Sequence, residues 1–234
     1  LIADNAKAEA MKVPFLRGLL LSDSIYIGSN ITFDNLNPVS SYLGKPGNTA
    51  KGGLPFAEYT RRQDQFRRAE ISALLDPGHF IDRAGALYDY PHFICDTGGS
   101  ICEWVDPHDP EDPVLTHLSA RTLMIWIEGT DAHTAELVRR FDAAPKPMSY
   151  QAGFLLDAWQ NYLTETSLSE DDVDPDTFIR WTYARALAHR QPRYRAMADN
   201  WGLTIPATDI GAIRSAADFN TLVAGALTRV EMRG

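Results

Sequence analysis

Cysteine is nearly absent from this chain. Only Cys95 and Cys102 occur among 234 residues. Two cysteines are too few for a disulfide scaffold, and their spacing is not that of a zinc site. A reduced, cytoplasmic setting is the default expectation. Long apolar runs are also lacking. None approaches the length of a membrane span, and no signal peptide is visible. Basic residues are outnumbered by acidic ones, 22 to 31, for a net charge of −9. An acidic surface repels nucleic-acid phosphates and anionic lipid, so neither nucleic acid nor membrane is an expected partner. Segments of alternating polar and apolar residues are scarce, which argues against an all-β protein. No internal repeat and no low-complexity tract is found.

The residues that are present form an ordinary globular balance, 44% hydrophobic and 23% charged. The length suits one large domain, taken as residues 1–234. A helix is expected around Ala6–Met11, followed by an apolar piece from Val13 to Leu21. Ser24–Gly28 is a short strand candidate. Thr32–Gly53 is rich in Asn, Pro, Ser and Gly and reads as loop. Tyr59–Leu75 reads as a helix, with Phe66, Ala69, Ala73 and Leu74 on one side. Pro77 suits the first turn of another. Helical stripes recur at Phe154–Leu163, at Phe178–Ala188 and at Phe219–Val230. A helix is also expected over Asp131–Phe141. Two continuous apolar runs stand apart, Phe93–Cys95 and Thr122–Ile127. Their lack of polar alternation predicts strands buried on both faces, side by side and parallel in the centre of a sheet. Strand alternating with helix then predicts an α/β, doubly wound, mainly parallel sheet with a helical C-terminal portion.

The stretch Tyr90–Pro107, YPHFICDTGGSICEWVDP, raises the question of chemistry. Hydrophobic residues followed by Asp-Thr-Gly, with a Trp-Val beyond, match the catalytic loop of aspartic proteases. Such enzymes need two of these loops on all-β scaffolds, and the helical periodicity here is wrong for that. The same string suits the end of a strand beside a phosphate. Asp96 would there hold Mg²⁺, which prefers one or two carboxylates together with phosphate oxygens. Gly98 and Gly99 would let backbone N–H groups approach the phosphate with no Cβ in the way. Ligands of open α/β sheets bind at the C-terminal ends of the strands, where Asp96 and Glu128-Gly129-Thr130 are both expected. The plainer alternative for Asp96 is a cap on Gly98 or Gly99 N–H within a turn, shared by Thr97. Asp34 could add a carboxylate, although an Asx-turn before Pro38 is the simpler assignment.

The segment YPHFICDTGGS resembles the Walker B strand and following switch of ParA/MinD-like ATPases in the P-loop NTPase superfamily. LSARTLMIWIEGTDAHTAELVRRF resembles the next strand and helix of that group. The tail, HRQPRYRAMADNWGLTI with DFNTLVAGAL, is similar to the end of shikimate- and gluconate-kinase-like small-molecule kinases, matching at Arg190, Pro192, Tyr194, Ala198 and Asp199. These resemblances imply ATP and Mg²⁺ as cofactors. The implied reaction is phosphoryl transfer to a small-molecule acceptor, or ATP hydrolysis. They imply Asp96 as the metal residue, Thr97, Gly98 and Gly99 at the nucleotide, and Arg190 or Arg193 stabilising charge in transfer. No G-x-x-x-x-G-K-[ST] occurs in the sequence. Gly44–Gly53 has glycines and lysines in the wrong order. If the phosphate loop lay upstream, Leu1–Met11 would be the helix that follows it.

Two basic clusters complete the reading. Arg61, Arg62, Arg67 and Arg68 are expected to pair with Glu58, Asp64 and Glu70 on a solvated face, with an anion clamp as the alternative. Arg190, Arg193 and Arg195 surround Pro192, which reads as a loop–helix junction that could close over a nucleotide. No histidine pair has metal-ligand spacing, and His108 is expected in solvent. The alternative function is a non-catalytic α/β module that binds protein partners.

Overall fold

A computed structural model describes residues 43–88 and 92–231. The readings made for Ala6–Met11, Val13–Leu21, Ser24–Gly28 and Asp34 lie outside the described residues. The elements in chain order are α1 (Phe56–Leu74), α2 (Pro77–Tyr88), α3 (Pro113–Ser119), β1 (Met124–Glu128), α4 (Asp131–Ala143), α5 (Ala152–Thr166), α6 (Pro175–Trp201), β2 (Gly202–Pro206), α7 (Ala207–Ala212) and α8 (Ala216–Glu231).

Helix starts follow local chemistry. Asp112 caps α3 by accepting from the Val114 and Leu115 amides, with Pro113 in the first turn. Asp174 caps α6 through the Thr177 amide, again with proline next. Proline suits that position because its missing N–H would be unpaired there anyway. Thr130 and His133 exchange bonds at the start of α4, with His133 in the place usually held by glutamate.

The spine of the molecule is α6. At 27 residues it is about 40 Å long. Its first half supplies Phe178, Ile179, Tyr183 and Leu187 to a core with Tyr59 of α1, Phe141 of α4 and Leu155, Trp159 and Tyr162 of α5. Aromatic rings dominate there. Phe141 stacks on Tyr183 at 3.8 Å, and Trp159 meets Phe178 edge-on at 4.9 Å. The second half supplies Met197 to another core with Leu74, Ile101, Cys102, Val105, Val114, Leu115 and Leu118. The helix runs unbroken through Pro192, correcting the expected junction. Pro192 and Ala188 are both exposed, so the carbonyl deprived of its intrahelical donor can bond water, and the ring avoids the core.

The doubly wound, mainly parallel sheet is not found among the described residues. The described residues are mostly helical, 68%, and among them β1 and β2 form a sheet of two parallel strands. Met124 pairs with Gly202 and Glu128 with Pro206. The connection between them passes through α4, α5 and α6. Helix α8 packs Leu222, Val223 and Ala226 on Leu203 and Ile205 of β2. The predicted strand Phe93–Cys95 is irregular chain, in neither helix nor strand, with Phe93 42% and Ile94 86% exposed. An apolar run without polar alternation implies burial only if neighbours exist on both sides. Phe93–Cys95 has no strand partner among the described residues.

Gly202 marks the closest approach of the two strands. A Cβ built there would lie 2.2 Å from the Met124 carbonyl oxygen. Gly202→Ala is therefore expected to cost about 1–3 kcal/mol, as overpacking does, seen as a lower urea midpoint. Gly153→Ala in α5 is the control. Nothing lies within 4 Å of its built Cβ, and a helical alanine should raise stability by about 0.5–1 kcal/mol.

Candidate functional site

The Asp-Thr-Gly-Gly turn begins with an exposed carboxylate. Asp96 accepts a bond from the Gly98 amide at 2.9 Å, the turn cap expected as its simpler role. Its other oxygen has no partner among the described residues. Gly98 has φ of 65° and ψ of 167°, a region essentially restricted to glycine that costs a side-chain-bearing residue about 1–3 kcal/mol. A short 3₁₀ turn, Gly99–Glu103, follows and buries Ile101, Cys102 and Glu103. Tyr194 of α6 donates its hydroxyl to the Gly99 carbonyl at 2.6 Å. A Cβ on Gly99 would lie 3.0 Å from that hydroxyl.

The arginines of α6 are arranged otherwise than expected. Arg190 points inward. Its Nε meets Glu103 Oε1 at 2.5 Å and its Nη2 meets the Ser149 carbonyl at 2.9 Å. The two side chains are 6% and 0% exposed. Glu103 also accepts from the Gln151 amide at 2.8 Å. Arg193 donates to the Cys102 and Val105 carbonyls, both at 2.7 Å. Both arginines thus hold the loop rather than face a phosphate. One signal for Arg190 was present in the sequence. Glu103 stands inside the apolar string Ile-Cys-Glu-Trp-Val, and a carboxylate buried among such neighbours needs a cation.

Arg195 is the exception. It is 61% exposed and pairs with Glu128 Oε1 at 2.5 Å, at the C-terminal end of β1. Its guanidinium also lies 5.4 Å from the Trp126 ring centre. Trp126 in turn stacks on Tyr194 at 6.3 Å. Tyr194 and Arg195 therefore link the Asp96–Gly99 turn to the end of β1. Helix α4 starts three residues beyond, with Asp131 exposed in its first turn.

Elsewhere the expected site residues take structural roles. Arg61 and Arg62 pair with Glu58 at 2.8 and 2.7 Å, and Arg67 and Arg68 with Asp64 at 2.8 and 3.2 Å. Hydrogen bonds from Arg61 and Arg62 hold Glu58 down at about 2. This is the solvated face, where water and salt screen such pairs and each adds little. His108 is exposed. Among the described residues, no three His, Cys, Asp or Glu side chains gather to hold a metal ion. No helix among them is long and apolar enough to cross a membrane. Comparison with protein-family models, with curated proteins and with solved structures gave no match.

Two measurements check this description. Arg190→Met leaves Glu103 buried and unpaired, which should cost about 3–5 kcal/mol in urea unfolding, and adding Glu103→Leu should recover most of it. Burial, then the charge of Glu103, pushes the Cys102 thiol up to about 11. At pH 8 roughly one molecule in a thousand then carries the reactive thiolate. Cys102 should resist iodoacetamide until the protein unfolds. Half-buried Cys95, raised by burial and by Asp96, should be alkylated first.

Proposed function

We propose that the chain handles Mg²⁺ and ATP where the Asp96–Gly99 turn and the end of β1 meet α6, in phosphoryl transfer to a small molecule or in ATP hydrolysis. The observation that carries this reading is the shared anchoring through Tyr194 and Arg195, which leaves the Asp96 carboxylate exposed with one oxygen unbonded. The residues fit the cofactor in part. Asp96 would hold the metal, a role Mg²⁺ accepts from a single carboxylate with phosphate oxygens completing its shell. Bound Mg²⁺ would neutralise charge that develops on the phosphate during transfer. Thr97, Gly98 and Gly99 offer a backbone that a phosphate can approach closely. Arg190 and Arg193 are committed to Glu103 and to carbonyls. The cation assigned to the transferred group is therefore Arg195, whose present partner is a partly exposed carboxylate. A cytoplasmic location goes with this reading, since ATP and free thiols belong to a reducing compartment.

A second reading is a module that binds protein partners. The exposed apolar side chains of Phe93 and Ile94 favour it, since contiguous exposed apolar surface marks interaction sites.

Melting of the intact protein separates the two. ATP or ADP with Mg²⁺ should raise the melting temperature, because a ligand present at 100 times its Kd stabilises the native state by about 2.7 kcal/mol. Asp96→Asn keeps an oxygen for the Gly98 amide. It should remove the Mg²⁺ dependence and leave the unliganded melting temperature unchanged. Arg195→Ala should lower turnover far more than nucleotide affinity. A flat response to ATP, ADP and GTP overturns the nucleotide reading.

A further inference from the structure

We propose that the outer edge of β1, unpaired among the described residues, accepts a β-strand from a partner protein, an extended apolar segment bordered by lysine or arginine. The argument starts from what β1 lacks. It pairs with β2 on one side alone among the described residues. Half of the backbone N–H and C=O groups of a strand point to each side, so the outer half has no protein partner there. Natural edge strands are usually blunted by lysine, proline, a bulge or a covering element. The strand Met-Ile-Trp-Ile-Glu has neither lysine nor proline, and its five pairs with β2 run in unbroken register.

Apolar side chains of the strand itself stand open to solvent. Ile125 and Ile127 share one face of the sheet, and Leu123 immediately precedes the strand. Ile125 packs with the cluster of β2 and α8, whereas Leu123 is 43% and Ile127 51% exposed. Residues 93–97 form a second segment, outside any helix or strand. Their backbone groups make no hydrogen bond with other described residues, and Phe93 and Ile94 are open to solvent. The turn that follows is tied to the same Tyr194 that stacks on Trp126. An apolar helix would cover the side chains but leave the outer row of N–H and C=O groups unmatched. A strand meets both needs, as in recognition by strand addition.

Charge selects the flanks of the strand. The protein carries −9, and Asp96 and Asp131 are exposed with no ion pair among the described residues. A second copy would bring the same carboxylates and the same net charge, and like charges disfavour association. A partner strand with basic ends does not.

The test uses the intact protein and a synthetic peptide, Lys-Thr-Val-Ile-Val-Thr-Lys. Amide exchange of Met124–Glu128 should slow by at least about tenfold on binding, with a change in Trp126 fluorescence. The same peptide N-methylated at alternate residues cannot complete the ladder and should leave exchange unchanged. Replacing its lysines by glutamates should weaken binding by about tenfold or more. Ile127→Lys, at an exposed position, should keep the melting temperature and lose the peptide. Absent protection, or equal protection by the N-methylated peptide, overturns the proposal. So does concentration-dependent dimerisation of the protein alone with β1 protected, which would make the second copy the donor. None of these readouts involves nucleotide, so the outcome is separate from that of the ATP reading.

Discussion

One buried ion pair decides how the two cores are joined. Arg190 sits midway along α6, between the aromatic core at one end and the aliphatic core at the other. Its guanidinium reaches Glu103 from the second and the Ser149 carbonyl from the first. Glu103 answers by accepting from Gln151. The connector before α5 is held from the other side too, since Gln63 of α1 bonds both the Met148 carbonyl and the Tyr150 amide. A buried pair of this kind is not a strong source of net stability, because desolvation offsets most of the attraction. Its value here is specificity of position. With Glu103 placed, the turn before it and the Gly99 carbonyl fall where Tyr194 can reach them.

Much of the helical layout was legible. The stripes at 59–75, 154–163, 178–188 and 219–230 all correspond to helices, because a 3.6-residue period records one buried face whatever lies against it, and the helix expected over 131–141 is present too. The run Thr122–Ile127 was legible as a strand. The sheet was not. Phe93–Cys95 and Thr122–Ile127 have the same apolar character, and pattern alone does not say how many strands share a sheet or which lie beside which. The expectation of burial on both faces failed at Ile127 and Ile94 for that reason.

Site residues divided along a similar line. The Asp96 cap on Gly98 follows from three consecutive residues and was anticipated. The surface pairs of Arg61, Arg62, Arg67 and Arg68 follow from helical spacing and were anticipated too. Arg190 and Glu103 lie 87 residues apart, and no local rule links them. Basic residues grouped around a proline suggested an anion site, when the helix in fact continues and presents them to carbonyls and a carboxylate. Distance in sequence, rather than residue type, set the limit of what could be read.

The position of α6 late in the chain bears on how the protein is made. Both cores draw on residues 178–197, so neither can close until that stretch has left the ribosome. At about 5–20 residues per second, the apolar faces of α1 and α3 and the turn carrying Glu103 wait several seconds for the helix that covers them. Until Arg190 is made, Glu103 has no buried cation to meet, and a carboxylate without one belongs in water. A charge inside the Ile-Cys-Glu-Trp-Val string would then oppose its association with other apolar segments, as charges that interrupt such runs do.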